Sequence, residues 1–320
     1  MNKTFVLLLA AALLSVALPS AAQDWPQRAV HIISPFGPGS TPDIVARILA
    51  ANLNKRTGKP FIVENRAGAG GMIGTDAIAK AAPDGYTIGM GTLGPLVNNT
   101  LMTRNMTYDP FRDLTPITLA VSQPSVVAVN AEFKANNLRD LFAEMKRQPG
   151  KYNYASIGNG SLSHLAMVLI ADRSGVDMVH VVYPGSGQAI PALIAGQVHM
   201  AVLPALVVLP QAKAGKLKML AIVRRSALLP ELPSLREEGI VDFETDTWFG
   251  VVGPAKLPKP VLDQIHAELV RTLREPDVAQ ALRNQLMEVV ASSPEEFART
   301  MQEELSRWKP VVEKAAVSID

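Results

Sequence analysis

Val30-His31-Ile32-Ile33-Ser34-Pro35-Phe36-Gly37-Pro38-Gly39-Ser40-Thr41-Pro42-Asp43 decides how this chain folds. Val30 to Ile33 is short and apolar, as a buried strand requires, whereas Ile44, Val45, Ile48, Leu49 and Leu53 recur at helical spacing from Pro42 to Asn54. A strand is thus predicted to hand over to a helix through a glycine turn. Ser40 or Thr41 suits the cap, Pro42 the first helical position, and Asp43 the positive end of the helix dipole. Free N–H groups at such a helix start can gather round an anion.

Three more turns repeat the design: Asn65-Arg66-Ala67-Gly68-Ala69-Gly70-Gly71, Ser156-Ile157-Gly158-Asn159-Gly160-Ser161-Leu162-Ser163-His164, and Tyr183-Pro184-Gly185-Ser186-Gly187. Around the first two lie strand Phe61 to Glu64, helix Gly71 to Ala82, and strand Tyr86 to Thr92 behind a Pro83-Asp84-Gly85 turn. The order βαβαβ implies a parallel sheet. A second α/β set starts near Pro124. It has strands Ser125 to Val129, Tyr152 to Ser156, Val179 to Tyr183 and Met200 to Leu203, with helices Asn137 to Gln148, Ser161 to Ser174 and Gln188 to Ala195 between them. Crossing strands are expected around Thr118 to Val127 and Asp246 to Gly253. The reading is therefore an α/β protein of two lobes, with residues 23–122 and 248–320 in a discontinuous first lobe and 123–247 in the second. Helices Pro258 to Arg274, Pro276 to Leu286 and Pro294 to Ala316 should pack back onto the first lobe, the last opened by a capping box of Ser293 and Glu296.

The beginning of the chain reads as a secretory signal peptide over residues 1–22: Lys3, an apolar run from Phe5 to Leu18, and small residues Ser20-Ala21-Ala22 for cleavage. The expected compartment is the periplasm. Cleavage takes away Lys3 alone among the charges and brings the formal +2 one unit nearer neutrality, so nucleic acid is not an expected partner. With no cysteine in the sequence, neither a disulfide nor a thiol nucleophile is available. Stability must come from burial, for which a chain of 320 residues, 48% of them apolar, has ample material.

Catalysis finds little support. A secreted serine hydrolase would need Gly two residues after its serine, but Ser163 follows Ser161 at that spacing, and Ser161 with His164 on one helical turn is not triad geometry. His31, His164, His180, His199 and His266 are scattered without metal-ligand spacing. Gly68-Ala69-Gly70-Gly71-Met72-Ile73-Gly74 places its last glycine one residue late for a dinucleotide loop. No cofactor or metal is expected.

The chain resembles the tripartite tricarboxylate transporter substrate-binding proteins, the Bug or TctC-like family of periplasmic receptors, nearly from end to end. The residues that carry the likeness are Pro35-Phe36-Gly37-Pro38-Gly39 with Asp43 and Arg47, Glu64 to Gly71, Ala82-Pro83-Asp84-Gly85-Tyr86-Thr87, and Tyr154-Ala155-Ser156 with Gly158, Gly160, Ser161 and His164. Tyr183 with Gly185, Gly196-Gln197-Val198, Gly215-Lys216-Leu217, and Pro233 with Glu238 and Gly239 complete it. The resemblance implies a Venus-flytrap receptor of the periplasmic type II class, expected as a monomer, that closes over a small ligand commonly bearing a carboxylate. It also implies delivery to a two-subunit cytoplasmic-membrane permease, or signalling to a sensor kinase.

Family members are understood to hold their ligand by backbone N–H groups, hydroxyls and ordered water from both lobes. Matched onto this sequence, the first lobe offers Phe36, Gly39, Ser40, Thr41, Asp43, Ala69, Gly70 and Thr92, and the second Ser156, Gly158, Gly160, Ser161, His164, Tyr183, Gly185 and Gly187. Bland readings stand beside these: Phe36 as core, Asp43 as an anchor for its own loop, Thr92 as a strand end, His164 as a brace for Ser156 and Ser161. Two positions depart from the family pattern. Ser40 stands where a second glycine is frequent, and His199, a further candidate contact or a structural residue, stands where aspartate often follows Gly-Gln-Val.

Overall fold

The computed structural model describes residues 25–241 and 245–315, so the expected signal peptide lies outside the described residues. The chain runs through β1 (Val30–Ser34), α1 (Thr41–Thr57), β2 (Phe61–Asn65), α2 (Met72–Ala79), β3 (Thr87–Thr92) and β4 (Leu114–Gln123). It continues through β5 (Ser125–Asn130), α3 (Leu138–Lys146), β6 (Tyr152–Ser156), α4 (Leu162–Ser174), β7 (Met178–Val182), α5 (Ser186–Ile194), β8 (Met200–Pro204), α6 (Ala205–Lys213) and β9 (Leu217–Ile222). The last elements are β10 (Thr247–Pro254), α7 (Lys259–Leu273), α8 (Pro276–Asn284), β11 (Glu288–Val289) and α9 (Pro294–Ala315). Neither α6 nor β9 is in the sequence reading. Ala205 to Leu209 continues the apolar run of β8, and Pro210 inside the helix hides its period.

Two sheets form, in the orders β11-β4-β10-β3-β1-β2 and β7-β6-β8-β5-β9. In each, the first strand of the unit is flanked in parallel by the second and third, β1 by β2 and β3, β6 by β7 and β8. An antiparallel strand then follows, β10 beside β3 and β5 beside β8. The carboxyl ends of the parallel strands therefore deliver their loops to one edge of each sheet, where α/β proteins place ligands. The chain passes between sheets at Pro124 alone, from Gln123 in β4 to Ser125 in β5. It returns at Thr247, which pairs with Gln123 and whose Oγ1 lies 2.8 Å from Ser125 Oγ.

Burial against the sheets accounts for the helices. Leu49 and Leu53 of α1 and Ile265 and Leu269 of α7 cover the first sheet with Ile32 and Val251, while Leu193 of α5 and Val208 of α6 cover the second with Val126 and Leu203. The capping box at the start of α9 forms as expected, Ser293 N–H donating to Glu296 Oε2 at 2.8 Å and Glu296 N–H to Ser293 Oγ at 3.1 Å. α9 does more than pack on the first sheet. Phe297 meets Trp248 edge to face at 5.5 Å, but further along Trp308 and Val312 enter the core shared with Leu165 and Leu169 of α4, and Lys314 Nζ reaches Asp172 Oδ2 at 2.8 Å. Its first turns are amphipathic against one sheet and its last turns against the helix of the other.

Candidate functional site

At the end of β1 the chain turns through Pro35 to Ser40 into α1. Asp43 is buried and fully engaged: its Oδ2 accepts from Gly39 N–H at 2.9 Å and from Arg47 Nε at 3.0 Å, and its Oδ1 from Asn65 Nδ2 at 2.8 Å. Asn65 also donates to Phe36 O at 2.9 Å, so two loops are tied through one carboxylate. Burial alone would raise that carboxyl; hydrogen bonds from Arg47, Gly39 and Asn65 outweigh it and hold the group below the ordinary aspartate range. Asp43 thus anchors its own loop. Ser40 occupies the cap position without a capping bond, and its Oγ is buried with no hydrogen-bond partner among the described residues. Thr41 Oγ1 donates to Gln123 Oε1 at 3.2 Å, linking the helix start to the crossing strand.

The second loop keeps Ala69, Gly70 and Gly71 at positive φ of 46°, 63° and 94°, a run that turns the chain abruptly into α2. Ala69 and Gly70 are exposed, and the Phe36 ring and Pro95 both stand so close to Gly71 that an added Cβ would meet them at 2.9 and 3.3 Å. Arg66, the cation of these loops, pairs with Glu64 at 2.9 Å. Thr92 is buried at the end of β3, opposite Phe249, and leads into a π-turn, Gly94–Asn98. Such turns are rare and frequent at functional sites.

In the second sheet Ser161 caps α4, its Oγ accepting from His164 N–H at 3.2 Å and donating to Gly158 O at 2.6 Å. His164 Nδ1 accepts from Gly160 N–H at 3.3 Å, and its ring stacks on His180 at 4.1 Å and 10°. His180 in turn lies on Tyr154 at 4.9 Å and reaches Ser156 Oγ at 2.7 Å through Nε2. His164 is therefore a brace behind the loop. Its pKa falls to about 3 through burial first and His180 second, and burial lowers His180 as well. In the fold His164 stays neutral down to about pH 3 and His180 is harder to protonate than a free imidazole, while the unfolded chain protonates both below about pH 6.5. The unfolded state then binds more protons, so this stability is complete above about pH 6.5 and is lost as pH falls toward 3. Urea melts between pH 7 and 4 should show His164→Asn, which keeps an acceptor for Gly160 N–H, flatter than the wild type by up to about 1.4 kcal/mol per pH unit. Parallel profiles would remove the histidine stack from the account of acid stability.

Tyr183 N–H donates to Ser156 O at 2.9 Å, which joins the fourth turn to the third. Gly185 is extended, at φ 169°, and α5 starts at Ser186, two residues ahead of the expected start, so Gly187 lies inside the first helical turn. His199 is not brought to these loops. Met200 registers with Tyr154, which sets His199 beside Asn153 at the opposite end of β6 from Ser156, its Nδ1 2.7 Å from Asn153 Oδ1 and its ring edge-on to Tyr152 at 5.0 Å.

The loops of the two sheets meet. A Cβ on Gly70 would stand 3.5 Å from Asn159 O, and one on Gly94 3.8 Å from Gly160 O. Asn98 Nδ2 donates to Gly160 O at 2.7 Å in a buried setting. Asn98, Asn99 and His180 are absent from the residues expected from the sequence; the position of Asn98 and Asn99 just after the third strand of a βαβαβ unit is the signal that could have found them. Chemically the site offers helix starts, main-chain groups and hydroxyls with its one loop arginine already paired, which suits a small anion held by dipoles. A separate groove of about 970 Å³ between α4 and α9, lined by Val168, Arg173, Arg299 and Val311 among others, contains none of the loop residues.

A family model described as tripartite tricarboxylate transporter family receptor matches residues 45–317. Protein BugT of Bordetella pertussis (strain Tohama I) is 32% identical over 307 residues, which span 95% of this chain and 94% of BugT. Among solved structures, R. palustris Rpa4515 with adipate superposes at a TM-score of 0.87 and 31% identity, over 92% of this chain and 99% of that one. MatC (Rpa3494) from Rhodopseudomonas palustris with bound malate gives 0.82 and 31%, over 90% of this chain and 100% of that one.

Proposed function

The chain belongs to the tripartite tricarboxylate transporter receptor family, and from that membership we propose that it captures a small carboxylate in the periplasm and delivers it to a two-subunit permease of the cytoplasmic membrane. It is a solute-binding receptor and not an enzyme, as its family is. The observation that carries the ligand class is the convergence, at one seam, of glycine loops from two sheets with the starts of α1 and α4 behind them and no free cation in the loops. Adipate and malate, the ligands of the two Rhodopseudomonas relatives, make dicarboxylates the first acids to try. In this reading the ligand touches the first loops through Gly39, Ser40, Ala69 and Gly70, and the second through Gly158, Ser161 and Tyr183. Asp43 and His164 hold those loops in shape. The lobes are residues 23–122 with 248–320, and 123–247, closing about the paired crossings at Gln123 and Thr247.

Thermal unfolding of the chain from Gln23 to Asp320, with adipate, malate, tricarboxylates, aromatic acids and amino acids, tests the proposal. A ligand at about 100 times its Kd adds roughly 2.7 kcal/mol and raises the midpoint by several degrees. Ser161→Ala should abolish the shift, with a basal loss of about 1 kcal/mol from the missing cap. If no acid shifts the melt after the protein has been unfolded and refolded to strip bound solute, the carboxylate assignment falls.

A further inference from the structure

We propose that Asn98 is the closure latch of this receptor and Asn99 the device that keeps the latch from holding without ligand. The proposal rests on the two-lobed receptor reading above. Asn98 and Asn99 leave the first sheet after β3, and Gly160 leaves the second after β6. The bond from Asn98 Nδ2 to Gly160 O, 2.7 Å long and with Asn98 wholly buried, therefore joins one lobe to the other and exists only while they touch. Shielded from water, it is stronger than a surface bond of equal length.

Main chain from both lobes and the side chains of Asn99 and Met102 close in around it. Gly70 and Gly94 face Asn159 O and Gly160 O at contact distance, and Asn99 Oδ1 rests so closely against Gly160 that a methyl there would collide with it. A seam of this kind forms in one relative position of the lobes or not at all.

The same contact carries a counterweight. Asn98 Oδ1 and both amide atoms of Asn99 are buried without hydrogen-bond partners among the described residues. Each loses water on closure and regains it on opening, so closure gains one strong bond and strips three polar atoms. An empty receptor accordingly tends to open, and ligand contacts must supply the difference.

The sequence has no cysteine, so Lys55→Cys on α1 beside the first sheet and Val179→Cys on β7 of the second, both exposed, can carry a unique pair of spin labels. Distances without ligand, and stopped-flow rates with adipate and malate as probes, are compared for four chains. Wild type should shorten its distance with a bound probe. Asn98→Ala should shift the empty protein toward longer distances and raise koff about tenfold with kon within a factor of two. Asn99→Leu, close to isosteric and free of the unpaired amide, should act oppositely, with a shorter distance when empty and slower release. Gly160→Ala should fold, as circular dichroism would show, yet never reach the short distance. Unchanged distances and koff in Asn98→Ala, or Asn98→Ala and Asn99→Leu moving in the same direction, would overturn the latch. If neither probe binds wild type, the dicarboxylate reading fails separately, and the distances of the empty variants still decide the latch.

Discussion

Asp43→Ala should eliminate ligand binding and lower stability by about 3 kcal/mol, although Asp43 touches no ligand in the proposed site. Its two oxygens receive Gly39 N–H, Asn65 Nδ2 and Arg47, and removal leaves Gly39 N–H without its acceptor and Asn65 Nδ2 with only one of its two. Arg47 is about half exposed and can return to water, so the loss is smaller than that of a fully buried ion pair. Function suffers more. Asn65 is also held to Phe36 O, and once it is released both glycine loops of the first sheet lose their relative position. Asp43→Asn retains an acceptor but not the charge facing Arg47, and should fall between the two. Urea melts and titration with the acid identified by thermal shift would check this; wild-type affinity in Asp43→Ala would show that the loops hold their shape unaided.

Trp308→Ala is expected to have the largest effect on stability, about 3 to 5 kcal/mol. The side chain is wholly buried where α9 meets α4, and its indole N–H donates to Glu304 Oε2 at 2.8 Å. Burial raises the pKa of Glu304, while Arg307 and the Trp308 and Thr245 hydrogen bonds oppose the rise. The alanine therefore opens a cavity and takes a donor from a buried carboxyl at once. Trp308→Phe should recover the packing and leave a deficit of about 1 to 2 kcal/mol for the missing donor. Equal midpoints for the alanine and phenylalanine variants would assign the whole loss to the hydrogen bond and none to the cavity.

Much of the fold was legible because its signals are local. The spacing of Ile44, Val45, Ile48, Leu49 and Leu53 marks α1 without reference to any other segment, and Tyr152 to Ser156 is β6 to the residue. The histidines show the limit. His164 reads as a helix-start residue, which it is, but that it stacks on His180 is settled by the parallel pairing of β6 with β7, from which a lone sequence gives no register. Asn98 is harder still, since its partner Gly160 is 62 residues away in the loop after a strand of the other sheet, and its own neighbours read as the end of an apolar run. His199 stands open in the sequence between ligand contact and a structural role because it follows Gly196-Gln197-Val198; strand direction sets it beside Asn153 at the far edge, away from the loops, which only the pairing of β6 with β8 shows. The expected periplasmic leader lies outside the described residues, and its cleavage remains a proposal that N-terminal sequencing of the exported protein would check.

The way the chain crosses between its sheets has a consequence for how such a molecule can be taken apart. Gln123 and Thr247 are paired neighbours in one sheet, so the departure and return of everything between them stand only about 5 Å apart. Seen from the first sheet, the second is a cassette hung from two adjacent threads: cut both, join them with a hairpin turn, and no strand of the first sheet has to move.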